Sequence, residues 1–200
     1  MKKVGIMGGT FNPIHNGHLL IAESAYEQLG LDEVRFIPTG RSPHKQGQQI
    51  LDSADRMHMV ELAIADNPAF VVDDREVRSD RLSYSYLTLE QMHAEYPEYK
   101  LYFIMGGDSL RDFKTWYQPQ RICQCAALVA AIRDACDLEH LQMYADELRE
   151  LYGADVYLLH TPNLSVTSSE LRERAAKGRS IRYQVPDVVR DYILEKQLYQ

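Results

Sequence analysis

Short apolar runs alternate with helical stripes along the whole chain. Residues 4–7 read as a buried strand ended by Gly8-Gly9. A polar loop follows, then a helix over about 18–29, with Ile21, Ala25 and Leu29 on one stripe and Gly30 as its stop. A second strand is predicted over 34–37, closed by Pro38, and residues 38–52 form a long loop. Ser53 is placed to cap a helix over about 53–66, with Met57, Val60 and Ile64 facing inward. A third strand is expected over 69–72, extending through Arg78, and a helix over 84–96. Further strands are predicted over 101–105, 126–132 and 156–159. Between the last two lies an amphipathic helix over 138–152, with Leu138, Leu141, Ala145, Leu148 and Tyr152 on one stripe. Two helices, 168–177 and 187–196, close the chain, the second with Pro186 at its first turn.

Continuous apolar strands alternating with helices predict an α/β fold: a Rossmann-like, doubly wound parallel sheet with helices on both faces and a C-terminal helical segment. No repeat or flexible linker divides the chain, so residues 1–200 are expected to form one domain, with the helical part from about 168–200 packed on it. Ligands of such folds bind beyond the carboxyl ends of the strands. The loops to inspect are therefore 8–17, 38–52, 106–117 and 160–169.

Composition narrows the function. The net charge is -7, which argues against a nucleic-acid partner, since that needs a basic face. The charge is uneven, however. Residues 1–60 carry 6 basic and 6 acidic side chains, residues 61–160 carry 9 and 18, and residues 161–200 carry 7 and 5. A small anion could be met by the two ends of the chain. Cys123, Cys125 and Cys136 fit neither a disulfide framework nor the paired spacing of a zinc site, and are expected to be reduced thiols. The apolar stretch after Met1-Lys2-Lys3 is too short for a signal peptide, and no run suits a membrane span. A cytoplasmic protein is expected, with no membrane partner, acting as a monomer or homo-oligomer.

The first strand-end loop carries the strongest chemistry: Gly8-Gly9-Thr10-Phe11-Asn12-Pro13-Ile14-His15-Asn16-Gly17-His18. Its glycines let backbone N–H groups approach a ligand, and Thr10 adds a hydroxyl. His15 and His18 lie three apart at a helix start, a spacing that can aim both imidazoles at one anion near the positive end of the helix dipole. Such a constellation can hold the charge that develops in phosphoryl or nucleotidyl transfer. The P-loop pattern, the G-x-G-x-x-G fingerprint and the H-E-x-x-H zinc pattern are all missing. No dedicated metal site is expected.

Four further segments add to this. Ser42-Pro43-His44-Lys45 puts cations on a long loop able to close over a polyanion. Residues 83–89 put hydroxyls at a helix start, which suits a carboxylate. Gly106-Gly107-Asp108 follows a buried strand and leads to Trp116-Tyr117, an aromatic platform for an electron-poor ring. Thr167-x-x-Glu170 is a capping box that leaves other N–H groups free.

In this order the five segments resemble the H-x-G-H nucleotidyltransferases, and among them the bacterial nicotinate mononucleotide adenylyltransferases. The resemblance spans nearly the whole chain. It implies transfer of the adenylyl group of ATP to nicotinate mononucleotide, giving nicotinate adenine dinucleotide and pyrophosphate in NAD synthesis, with Mg²⁺ delivered with ATP. His15, His18, Lys45 and Arg172 would be catalytic. Gly8, Gly9, Thr10, Phe11, Gly17, Gly106, Asp108, Thr167, Ser168 and Ser169 would hold ATP and its phosphates. Asn12, His44, Tyr84, Ser85, Tyr86, Trp116 and Tyr117 would hold the mononucleotide, with Trp116 stacked on the pyridine. Ser85 stands where the family usually has Thr, and Leu87 where it often has Asp. The rivals are a sibling transferase, acting for instance on nicotinamide mononucleotide, and a non-catalytic nucleotide sensor.

Overall fold

A computed structural model describes residues 1–41, 50–132 and 138–200. His44, Lys45 and Cys136 therefore lie outside the described residues. Among those described, no helix is long and apolar enough to cross a membrane.

The strands are β1 (Lys2–Gly9), β2 (Glu33–Pro38), β3 (Phe70–Val72), β4 (Tyr99–Gly106), β5 (Ala126–Ile132) and β6 (Val156–His160). They form one sheet in the order β3-β2-β1-β4-β5-β6, and every pairing is parallel. The helices are α1 (Asn16–Leu29), α2 (Ser53–Ile64), α3 (Ser85–Glu95), α4 (Gly107–Asp112), α5 (Pro119–Cys125), α6 (Leu138–Tyr152), α7 (Ser168–Ala176) and α8 (Asp187–Glu195).

Both faces of the sheet are covered, which explains the continuous apolar strands. On β4, Leu101, Phe103 and Met105 pack with α3, α5 and α6, while Tyr102 and Ile104 pack on the opposite side with α1. The order of the strands reverses between β1 and β4, so the crevice of the fold opens beyond their carboxyl ends. Gly8-Gly9 ends β1 there and Gly106 ends β4. That is the place where a parallel sheet of this order accommodates a nucleotide.

The local reading needs four corrections. β3 stops at Val72 instead of running through Arg78, because the next residues turn away, with Arg75 ion-paired to Asp73 and Glu95. A short helix, α4, occupies the 106–117 stretch expected as loop, and a second, α5, follows where no element is predicted, since six and seven residues are too few to display a period. Asp52, rather than Ser53, caps α2: its side chain accepts from the Ala54 N–H. The inward stripe of α2 is Arg56, Met59, Val60, Ala63 and Ile64, so Met57 gives up its expected place to an arginine and a methionine either side of it.

Candidate active site

The first loop is held in a single shape by its neighbours. His15 ends it as the N-cap residue of α1, with extended backbone. Its backbone N–H donates to His18 Nδ1 at 3.2 Å. An accepting Nδ1 assigns the proton of the neutral ring to Nε2, so His18 presents an N–H donor on its far side. The two imidazoles stack with centroids 3.7 Å apart, and the Phe11 ring meets His18 edge-on at 5.2 Å. Gly17 has a steric reason to be bare. A Cβ there would press on the His15 ring at 3.0 Å. The H-x-G-H spacing thus builds a stacked pair whose second member has its tautomer fixed by the backbone of the first.

Two cavities of about 320 Å³ each adjoin at the sheet edge. The first is lined by Gly9, Thr10, Ser83, Tyr84, Ser85 and Tyr117 among others, the second by His15, Gly17, His18, Gly106, Asp108, Thr167 and Ser168. Gly8, Phe103, Ser109 and Trp116 border both. Trp116 is fixed by Phe113, tilted at 5.4 Å, and Phe103, edge-on at 6.0 Å. Two ligands placed one in each cavity would therefore meet over the bare backbone of Gly8.

At the first cavity, α3 begins at Ser85; the helical bonds start with Leu87 and Thr88 N–H donating to Tyr84 O, so the Ser85 and Tyr86 N–H groups precede them at the positive end of the helix. Glu76 also lines this cavity, and the sequence reading overlooked it. Its Oε1 accepts from Thr88 Oγ1 at 2.6 Å. Burial pushes the Glu76 carboxyl above its ordinary range, against the lowering effect of the Thr88 hydrogen bond. The folded state then binds this proton more tightly than the unfolded chain does. Stability from this group is present below the unfolded value and falls as pH rises from there through the raised folded value. Glu76→Gln should remove that fall. The melting temperature of the variant minus that of the wild type should increase between about pH 4 and pH 7. A difference flat with pH would contradict the burial effect.

The structure does not bring every expected residue to the cavities. Asn12 lines neither. Its Oδ1 accepts from Tyr199 Oη at 3.0 Å and from the Leu51 N–H at 3.4 Å, behind the loop. Phe11 is buried as packing for His18 and Phe36. Tyr86 stands outside the first cavity, against Tyr84, Tyr117 and the Arg121 guanidinium. Arg172 and Ser169 border a third, open hollow with Ile50 and Leu51. Arg172 donates to the Asn12 carbonyl at 2.9 Å and to Ser169 Oγ at 3.2 Å. The neighbouring Ser168 faces the second cavity and donates to the Pro13 carbonyl, so the start of α7 spans cavity and hollow. Thr167 caps that helix through Glu170 N–H. Among the described residues no cluster of three or more His, Cys, Asp or Glu is close enough to hold a metal.

The family model for cytidylyltransferase-like proteins matches residues 6–174. The chain is 45% identical over 199 residues to a probable nicotinate-nucleotide adenylyltransferase of Lachnoclostridium phytofermentans, covering all of both. The chain belongs to this family of nucleotidyltransferases. A probable nicotinate-nucleotide adenylyltransferase of Thermomicrobium roseum is 41% identical over 201 residues, covering all of this chain and 92% of its own. The fold matches Plasmodium falciparum nicotinic acid mononucleotide adenylyltransferase complexed with NaAD, with a TM-score of 0.80 at 20% identity over 100% of this chain and 98% of that one.

Proposed function

We propose that the chain transfers the adenylyl group of ATP to nicotinate mononucleotide. The products are nicotinate adenine dinucleotide and pyrophosphate, in the synthesis of NAD. The observation that carries this is the pair of cavities meeting at Gly8, with the His18 imidazole on one side and the start of α3 on the other. Membership of the family supports it independently.

ATP occupies the second cavity, its ribose near Gly106 and Asp108 and its phosphates near His18, Thr167 and Ser168. Its outer phosphates extend toward Ser169 and Arg172, with Lys45 from the long connection after β2. The mononucleotide occupies the first cavity, its pyridine on Trp116 and its carboxylate at the N–H groups of α3 near Tyr84 and Ser85. Raising Glu76 toward its neutral form lessens the repulsion an incoming carboxylate meets there.

The attacking group is the mononucleotide phosphate. Its second pKa is about 6, so it is largely dianionic at neutral pH and needs no general base. One of its oxygens bonds to the α-phosphorus of ATP, the bond from that phosphorus to the bridging oxygen breaks, and pyrophosphate leaves with the electron pair. Catalysis reduces to alignment and charge stabilisation. His18 Nε2–H supplies a donor to the α-phosphoryl group, while the backbone of Gly8, Gly9 and Thr10 lets two anions approach. Mg²⁺ arriving with ATP would neutralise part of the phosphate charge, and its hydration favours phosphate oxygens and water as its partners.

The site acts in the cytoplasm. Cys123 and Cys125 are free thiols, and burial pushes Cys123 up to about 11, which leaves it unreactive at neutral pH. Purified protein given ATP and nicotinate mononucleotide should release pyrophosphate only when both are present. Binding of both without release would identify a sensor instead.

A further inference from the structure

Arg56 is 2% exposed and lies on the inward stripe of α2. Among the described residues it forms no ion pair; instead every hydrogen bond it makes ends on a backbone carbonyl. Nη1 donates to Thr10 O at 2.7 Å, Nη2 to Thr39 O at 2.8 Å and more distantly to Gly40 O, and Nε to Leu51 O at 3.0 Å. These acceptors belong to three separate segments. Thr10 is in the glycine loop that lines the first cavity. Thr39 and Gly40 are where the chain leaves β2, and Leu51 is where it returns to α2. The same segments are cross-stitched, since Thr39 N–H donates to Gly9 O at 2.8 Å and Leu51 N–H to Asn12 Oδ1.

A buried cation is expensive unless its donors are satisfied and something answers its charge. The donors are satisfied here. Burial pulls the Arg56 guanidinium down from its ordinary value and outweighs Tyr199 and Asp52, which act in the other direction. Asp52 is already engaged in capping α2. The charge thus lies one peptide behind the first cavity, which Thr10 lines. The C=O and N–H of a trans peptide point in opposite directions. Pinning Thr10 O to Arg56 therefore turns the Phe11 N–H away from the guanidinium. Lysine cannot substitute, because a single ammonium lacks the planar fork that reaches several carbonyls at once.

Given the transfer reaction proposed above, we propose that Arg56 is a positioning residue for it: its buried guanidinium fixes the Thr10 peptide and both ends of the connection from β2 to α2 as one unit behind the phosphates. It touches no reacting atom; it acts through the backbone it holds and through its charge.

Steady-state kinetics on Arg56→Lys and Arg56→Gln, with melting temperatures taken alongside, test this. In whichever variant stays folded, kcat per folded molecule should fall by about 10²-fold while KM for the mononucleotide stays within about threefold, the scale of a small misplacement of reacting groups. Arg56→Ala should regain turnover on adding guanidinium ion. A folded variant with normal kcat and only a lowered melting temperature would reduce Arg56 to a structural residue and overturn the proposal. The wild type supplies a test that needs no variant. The Arg56 Nε–H resonance should exchange slowly with water and shift when tripolyphosphate is titrated in; an unmoved resonance at saturation overturns the proposal. If the wild type forms no dinucleotide yet this resonance shifts, the assigned reaction fails while the coupling of Arg56 to phosphates stands.

Discussion

Replacing His18 with alanine should lower turnover by about 10²–10⁴-fold, the range seen when one preorganised transition-state donor is removed. The expectation rests on how completely the ring is fixed. Nδ1 accepts from the His15 N–H, one face stacks on His15, and Phe11 meets it edge-on. The proton of the neutral ring then sits on Nε2, and His18 lines the cavity shared with Gly17 and Thr167. A donor held this way costs no reorganisation as charge builds on the α-phosphoryl oxygens. The loss should fall on kcat more than on KM for ATP, because the interaction strengthens in the transition state. The measurement is the initial rate of dinucleotide formation at saturating substrates. Near-normal turnover in a folded His18→Ala protein would remove His18 from its assigned role.

Trp116→Ala should weaken mononucleotide binding by about 1–3 kcal/mol, or roughly 5–150-fold, the scale of one aromatic–base stack. Trp116 is walled by Phe103 and Phe113 and borders both cavities. Its indole is therefore a rigid surface rather than a side chain that must be ordered on binding. Trp116→Phe should keep part of the affinity. Titration of the mononucleotide followed by calorimetry would read both variants, and an unchanged dissociation constant would exclude stacking.

The architecture was legible because both faces of the sheet are buried. The central strands then carry apolar runs, the clearest being β5 over Ala126–Ile132, with all seven residues buried. Glycines at the ends of β1 and β4 marked the crevice. The short helices α4 and α5 were not legible, since a turn or two shows no period. The first loop was legible as chemistry because its spacing puts two histidines on one helix start. What the sequence concealed is which polar groups face inward. Asn12 reads as a ligand contact yet holds Tyr199 and Leu51, contacts that join residues 187 and 39 positions apart. Arg56 does not stand out, because the predicted inward stripe is Met57, Val60 and Ile64. One signal could have found it: positions 56, 59, 60, 63 and 64 keep helical spacing, and an arginine inside such a stripe must be satisfied from the interior. Glu76 had no such signal, because the turns after β3 carry no period.

The first cavity is expected to recognise a pyridine nucleotide by its carboxylate. With ATP held saturating, nicotinate mononucleotide and its amide, nicotinamide mononucleotide, should be given to the enzyme in direct competition and the two dinucleotide products counted. A larger kcat/KM is expected for the acid, since the N–H groups at the start of α3 favour a full negative charge over a neutral amide. Equal partition, or preference for the amide, would contradict it.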